Sequence, residues 1–341
     1  MEVDLNELNS FKKKILFTGA NSGIGFYSLI NLLKKENYLF IPIRSESRKK
    51  IFLDKLKYHF KTEFLSKYLN IIDNVDFSNL ENINKVREYF LKEEKLLDIV
   101  ILNAGMQYTG ALYPKVSKQG IELTFAVNHL AHFYLINNLF SLINDSLESR
   151  IIITSSDVHN PKSSGGNVGE KAGLNNLENF REIISGNFRN FSADRAYKNS
   201  KLCNILFAKK LSEKLIHKKS KISVITWAPG LVIPDDELGF FRYSSKYNKF
   251  GYLLFSVIAK NILGITENLE NAGNILSEIA MAKSFNNIEF LHLSNQLISY
   301  KKHKLKKVNV SEEANNSELA EKLWNFSLEL CRSFSFASFY M

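Results

Sequence analysis

The sequence predicts a doubly wound, Rossmann-like α/β fold, a parallel sheet with helices on both faces, and three observations carry that expectation. Through the first half, short β-branched runs alternate with segments of helical apolar spacing. A glycine-rich stretch, Thr18–Gly25, follows the first of these runs and opens a helix. The 341 residues, 45% hydrophobic and 23% charged with only 5 Pro, supply a large core and exclude collagen-like, low-complexity and disordered chains. The length would allow two domains. We read one, over residues 1–341, with an insertion at 157–193, a substrate lid at 231–265 and a C-terminal extension at 298–341.

The elements follow in order. Lys14–Phe17 is the first strand, and the helix after its glycine-rich turn runs to Lys35. Tyr38–Ile43 is the second, ending near Pro42 because proline cannot donate to a ladder. Ile71–Val75, Asp98–Leu102 and Arg150–Thr154 give three more, and Asn79–Glu94 and Ile121–Leu142 have helical spacing between them. A segment rich in Gly, Ser and Asn at Ser163–Gly173 opens a long insertion, one that calls for a functional explanation. Asp194 is read as the cap of a helix to Ile216, and Lys221–Trp227 as a sixth strand broken by Pro229 and Gly230. Helices then dominate to Met281, a short strand is expected near Ile288–Leu293, and Ser311–Cys331 has the spacing of a closing helix.

The chemistry sits at the strand ends. Within Thr18–Gly25, the glycines Gly19, Gly23 and Gly25 let backbone approach a pyrophosphate, and the helix N-terminus offers free N–H groups and a positive dipole end. Thr18, Asn21, Ser22 and Ile24 complete this dinucleotide fingerprint. The second strand ends in Arg44, with Arg48 close behind and no acid at the turn, which favours the 2′-phosphate of NADPH over the free ribose of NADH. Tyr197 and Lys201 stand four apart on one helix face, and an ammonium beside a phenol, with an oxidised nicotinamide near, is expected to lower the phenol's pKa. Asn103, Ala104 and Gly105 end the fourth strand, Ser155 and Ser156 the fifth, Pro229 and Gly230 the sixth, all where ligands bind in such sheets.

Together these motifs, over residues from about 12 to 232, resemble the short-chain dehydrogenase/reductase superfamily. The resemblance implies a catalytic tetrad of Asn128, Ser156, Tyr197 and Lys201: Ser156 orients the substrate, Tyr197 handles the proton, Lys201 holds the ribose, and Asn128 supports Lys201 through water. It also implies that Asp76 touches the adenine and that Asn103–Gly105 steady the sheet beside the adenosine. Ala196–Asn204, Gly166–Val168 with Leu174 and Leu177, and the segments Ser311–Ala314 and Leu319–Trp324 look like the light-dependent protochlorophyllide oxidoreductase family. That narrower likeness implies light-driven reduction of the C17–C18 double bond of a chlorophyll precursor, and it makes Cys203, beside Ser156, a candidate substrate residue. On its own position in a helix, Cys203 reads equally as a small buried residue. The chain differs from that family at Gly169–Ala172, at Leu102–Gly105, and in lacking the Thr expected after Pro229 and Gly230. A light-independent carbonyl or retinol-type reductase and a non-catalytic nucleotide- or pigment-binding paralogue are the rival readings.

Other functions find less support. His129 and His132 lack partners at ligand spacing, so no metal is expected. The excess of 45 Lys and Arg over 35 Asp and Glu gives a net charge of +10, which favours anionic partners. The basic run Lys301–Lys307 is read as a solvated loop and not a nucleic-acid site, since no aromatics interleave it. Phe240, Phe241, Phe250, Tyr252 and Phe255 give the lid segment an aromatic character, and peripheral membrane contact is the corresponding expectation. Tyr252–Ala259 is cut short by Lys260 and Asn261, so it reads as a buried or interfacial helix and not a span. Met1–Ser10 lacks the apolar core of an export signal, and two cysteines suit a reducing, cytoplasmic setting, peripheral to a photosynthetic membrane if the narrower likeness holds. Oligomerisation is open, and the expected partner is a small-molecule substrate.

Overall fold

A computed structural model describes residues 5, 7, 8, 12–178, 180–184, 191–233, 247, 253 and 256–334. Most of the expected lid at 231–265, including its five aromatics, lies outside the described residues, as do part of the insertion and the last residues of the extension.

The elements are β1 (Lys14–Thr18), α1 (Gly23–Lys34), β2 (Tyr38–Ile43), α2 (Glu46–Lys57), α3 (Thr62–Tyr68), β3 (Leu69–Asp73), α4 (Leu80–Lys92) and β4 (Ile99–Leu102). They continue with α5 (Leu123–Phe125), a π-helical segment (Ala126–Leu130), α6 (Ala131–Leu139), β5 (Arg150–Thr154), α7 (Phe180–Ile184), α8 (Ala193–His217) and β6 (Ser223–Ala228). Last come β7 (Leu231–Val232), β8 (Thr266–Glu267), α9 (Leu269–Met281), β9 (Phe290–Ser299), β10 (Lys302–Lys307) and α10 (Ser317–Phe334). The sheet order is β10-β9-β6-β5-β4-β1-β2-β3, parallel except for the β9–β10 hairpin. From β1 the order runs outward through β2 and β3 on one side and through β4, β5 and β6 on the other. The crevice between the C-terminal ends of β1 and β4 is therefore the topological switch point.

The strands are apolar on both faces because helices cover both. Alternate residues divide between two cores: Leu16, Val100, Ile151 and Val224 pack on one face, and Ile15, Ile101, Ile152 and Ile225 on the other. Pro42 is tolerated because β1 stops pairing with β2 at Phe40, leaving only the β3 side partnered at that point.

Several expectations need correction. The third strand is shifted by two residues, the sixth begins two residues later and ends one later, and α2 and α3 fall where no helix was read, since α2 buries only Phe52 and Leu56 and leaves little periodicity. The helix expected at Ile121–Leu142 is interrupted by the π segment that carries Asn128. Ser192, not Asp194, caps α8, accepting the Arg195 N–H at 3.2 Å. The run Lys301–Lys307 is not a loop: Lys302–Lys307 is the edge strand β10, with Leu305 turned into the core. Lysines on an edge strand oppose pairing with another chain, which is why a strand here looks like a charge run. Among the described residues no helix is long and apolar enough to cross a membrane.

Candidate active site

A cleft of about 1550 Å³ opens over the C-terminal ends of β1, β2, β4, β5 and β6. Its first half is backbone. Gly19 has φ +70°, and a Cβ there would lie 2.7 Å from the Cα of Ala104; a Cβ on Gly25 would collide with the Gly19 carbonyl. The loop thus presses onto the end of β4 in a way that only glycine allows. Ser22, extended and making no side-chain cap, precedes α1, whose first turn holds no acid, so its free N–H groups face the cleft.

A polar chain ties the strand ends together. Thr18 Oγ1 accepts the N–H groups of Asn103 (2.9 Å) and Ala104 (3.0 Å) and meets His132 Nε2 at 3.1 Å. Asn103 Nδ2 donates to the Gly19 carbonyl (3.3 Å), its Oδ1 accepts from Thr154 Oγ1 (3.1 Å), and Trp227 Nε1 donates to that same hydroxyl (3.0 Å). Four strands are thereby locked at the cleft floor. Asn21, Ile24, Gly105 and Asp76 line it, with Asp76 Oδ1 accepting from both the N–H and hydroxyl of Ser78. Arg44 and Arg48 line its far end, whereas Lys49 is turned into ion pairs with Asp73 (2.9 Å) and Glu46 (3.7 Å). A glycine cradle at a helix N-terminus with two arginines beyond it fits a dinucleotide carrying an extra phosphate.

The other half carries the titratable groups. Tyr197 and Lys201 project from α8, with Lys201 Nζ 5.7 Å from the centre of the Tyr197 ring and donating to the Thr154 carbonyl at 3.1 Å. The Ser156 hydroxyl hydrogen-bonds Tyr197. Ser155 is buried and donates instead to the Lys201 carbonyl at 2.9 Å, stapling β5 to α8. Burial lowers Lys201 to about 8 and pushes the Tyr197 phenol well above its usual range, an effect that Ser156 opposes and Asp194 adds to. Loss of hydration sets this direction, and the expected lowering, which takes the nicotinamide together with the ammonium, stands as an expectation.

Two further site residues are fully buried. The Asn128 amide is wholly engaged: its Oδ1 accepts the Met106 N–H (2.8 Å), and its Nδ2 donates to the Met106 carbonyl and Ser200 Oγ (both 2.9 Å). It clamps the loop after β4 onto α8. Cys203 is corrected: it is fully buried in the core with Leu202, Ile205 and Leu206, does not line the cleft, and has a thiol pushed far up by burial. Pro229 and Gly230 do line it; Gly230 has φ +82°, and Leu231–Val232 beyond it pair with β8. Among the described residues no His, Cys, Asp or Glu group could hold a metal.

Comparison with known proteins agrees with this geometry. The family profile described as short chain dehydrogenase matches residues 13–169. That segment carries the glycine loop, Asn103–Gly105, Asn128 and Ser156, the motifs on which the likeness to short-chain dehydrogenases/reductases rests. A protochlorophyllide reductase of Daucus carota is 27% identical over 333 residues, covering 94% of this chain and 78% of the relative. Retinol dehydrogenase 12 of Bos taurus is 27% identical over 324 residues, covering 95% and 88%. The L-sorbose reductase of Gluconobacter frateurii, solved with NADPH and L-sorbose, shares the fold at a TM-score of 0.58 and 16% identity, over 85% of this chain and 97% of its own.

Several cleft residues of this oxidoreductase went unread in the sequence. Lys198 is buried, ion-paired with Asp194 at 3.0 Å and bound to the Glu170 carbonyl. Asp157, His159, His292, Asn295 and His303 also line the cleft, Asn295 and His303 beside Gly230. Asp157 and His159 follow Ser156 directly, a signal that was available; the others come from β9, which pairing with β6 brings there, and from β10, which the hairpin adds.

Proposed function

We propose that this chain is an NADPH-dependent reductase that adds hydrogen across a C=C bond of a chlorophyll precursor, in the manner of protochlorophyllide reductase. The observation that carries the reading is a phenol kept protonated by burial, hydrogen-bonded to Ser156 and beside the Lys201 ammonium, on the wall of a cleft of about 1550 Å³. That volume exceeds the roughly 300–1,000 Å³ of a single-ligand pocket, so a bulky substrate has room beside a dinucleotide. Arg44 and Arg48 favour NADPH, and the glycine loop with the N-terminus of α1 would hold its pyrophosphate. When bound, NADPH supplies a hydride to one carbon of the double bond. Tyr197 gives the phenolic proton to the other carbon, and Lys201 stabilises the phenolate left behind. Asn128 and Ser155 hold the two walls at fixed separation through the contacts already described.

A second reading, reduction of a carbonyl in the dark, is favoured by the burial of Cys203 and by the likeness to retinol dehydrogenase 12. The same Tyr197, Lys201 and Ser156 would serve it. The deciding experiment is an absorbance spectrum of the protein with NADPH and protochlorophyllide, taken in the dark and after a flash. A red-shifted bound pigment converted only by light is expected. Unbound, unchanged pigment in protein that reduces all-trans-retinal in the dark would overturn the first reading in favour of the second.

A further inference from the structure

Ser156 leads into a 3-10 turn, Asp157–His159, whose last side chain is buried. His159 Nδ1 lies 2.7 Å from the Ser156 carbonyl oxygen, and its Nε2 receives the Ser311 N–H at 3.2 Å. A backbone N–H can only donate, so Nε2 must present its lone pair. The single proton of the neutral ring is then on Nδ1, donated to the Ser156 carbonyl. Ser311 is itself anchored: its hydroxyl accepts the Ala314 N–H, and Glu313 beside it accepts the Leu174 N–H at 2.7 Å. His159 thus joins the backbone of Ser156 to a fixed point in the C-terminal segment, 152 residues away in sequence. The His292 ring stands edge-on to it, ring centres 5.3 Å apart.

We propose that His159 is a positioning residue for the reaction, aiming the Ser156 hydroxyl at Tyr197 by holding the Ser156 carbonyl against the C-terminal segment. The inference rests on the reading of Ser156 and Tyr197 as the reacting pair. Two substitutions separate the two ends of the link. His159→Asn places an amide donor where Nδ1 was and keeps the side-chain bond to Ser156; His159→Gln reaches Ser311 and loses that side-chain bond, leaving only the backbone N–H of residue 159 on the Ser156 carbonyl at 3.2 Å. Turnover is measured on protochlorophyllide after a flash or on all-trans-retinal in the dark, whichever the wild type reduces, with NADPH binding followed by fluorescence.

His159→Gln is expected to lose kcat by about tenfold or more with the KM for NADPH unchanged, while His159→Asn stays within about threefold of wild type. Equal losses in both variants, or none in either, would overturn the proposal. Independently of activity, ¹⁵N-histidine spectra of the wild-type protein at neutral pH should show His159 as the Nδ1–H tautomer. An Nε2–H tautomer would overturn it whatever the variants do. Should the wild type reduce neither substrate, the functional reading fails and the spectra still decide the link.

Discussion

Lys201 and Tyr197 divide one problem between them: a proton must be kept on an oxygen at neutral pH, and the charge left after its departure must be stabilised. Burial does the first by pushing the phenol up, and the same burial brings Lys201 down to about 8. The sign is opposite to the usual lysine case. The ammonium is complete below that value and is lost as pH rises through it, so the free enzyme should lose its phenolate-stabilising charge in mildly alkaline solution. We expect kcat/KM to be level near neutrality and to fall by about tenfold per pH unit above about 8. A pH profile level through ~9.5 would exclude a required Lys201 charge. The pairing of Tyr197 with Lys201 was legible because spacing of four fixes a shared helix face. The placement of Cys203 was not legible in this way, since a small buried residue and a substrate residue read equally at its position in the helix. The direction of the phenol's shift was not legible, because it depends on how much water the folded walls exclude.

Among the elements, the β1–α1 loop carries the closest packing at the site. Gly25→Ala would drive a methyl into the Gly19 carbonyl, and overpacking of this kind costs about 1–3 kcal/mol. We expect Gly25→Ala to lower the thermal midpoint and to abolish NADPH binding measured by fluorescence quenching, while Gly23→Ala, with open space around its Cβ, suffers only the strain of φ +56°. Equal NADPH affinity in Gly25→Ala and wild type would remove the loop from the binding site. The loop could be read from sequence because its three glycines are a local requirement of a tight turn. The edge strand β10 could not: its lysines are an edge strand's defence against another chain, and they look the same in a solvated loop. The π segment at Asn128 was hidden for a related reason, since one extra residue in a helical turn leaves the apolar spacing almost unchanged.

For the whole molecule, the C-terminal helix is the feature that joins separate parts. Trp324 of α10 is buried against Phe133 of α6, ring centres 4.9 Å apart, and near Phe207 of α8 at 6.0 Å, so one side chain closes the core behind the site. Trp324→Ala should cost about 3–5 kcal/mol, read as a lower denaturant midpoint. Trp324→Phe should cost less, because it also removes an indole N–H that has no hydrogen-bond partner among the described residues. Equal losses from the two variants would show that the volume at this position does not set its contribution. The sequence alone determined the fold class, the nucleotide loop and the shared helix face of Tyr197 and Lys201, since each follows from the spacing of residues within one turn, strand or helix, while the choice of Ser156 came from the family resemblance. Only the tertiary structure decided that Cys203 belongs to the core, that Asn128 spends its amide on Met106 and Ser200, and that His159 reaches Ser311. Those are contacts between distant segments, and they exist only once the sheet order has been fixed and its faces covered.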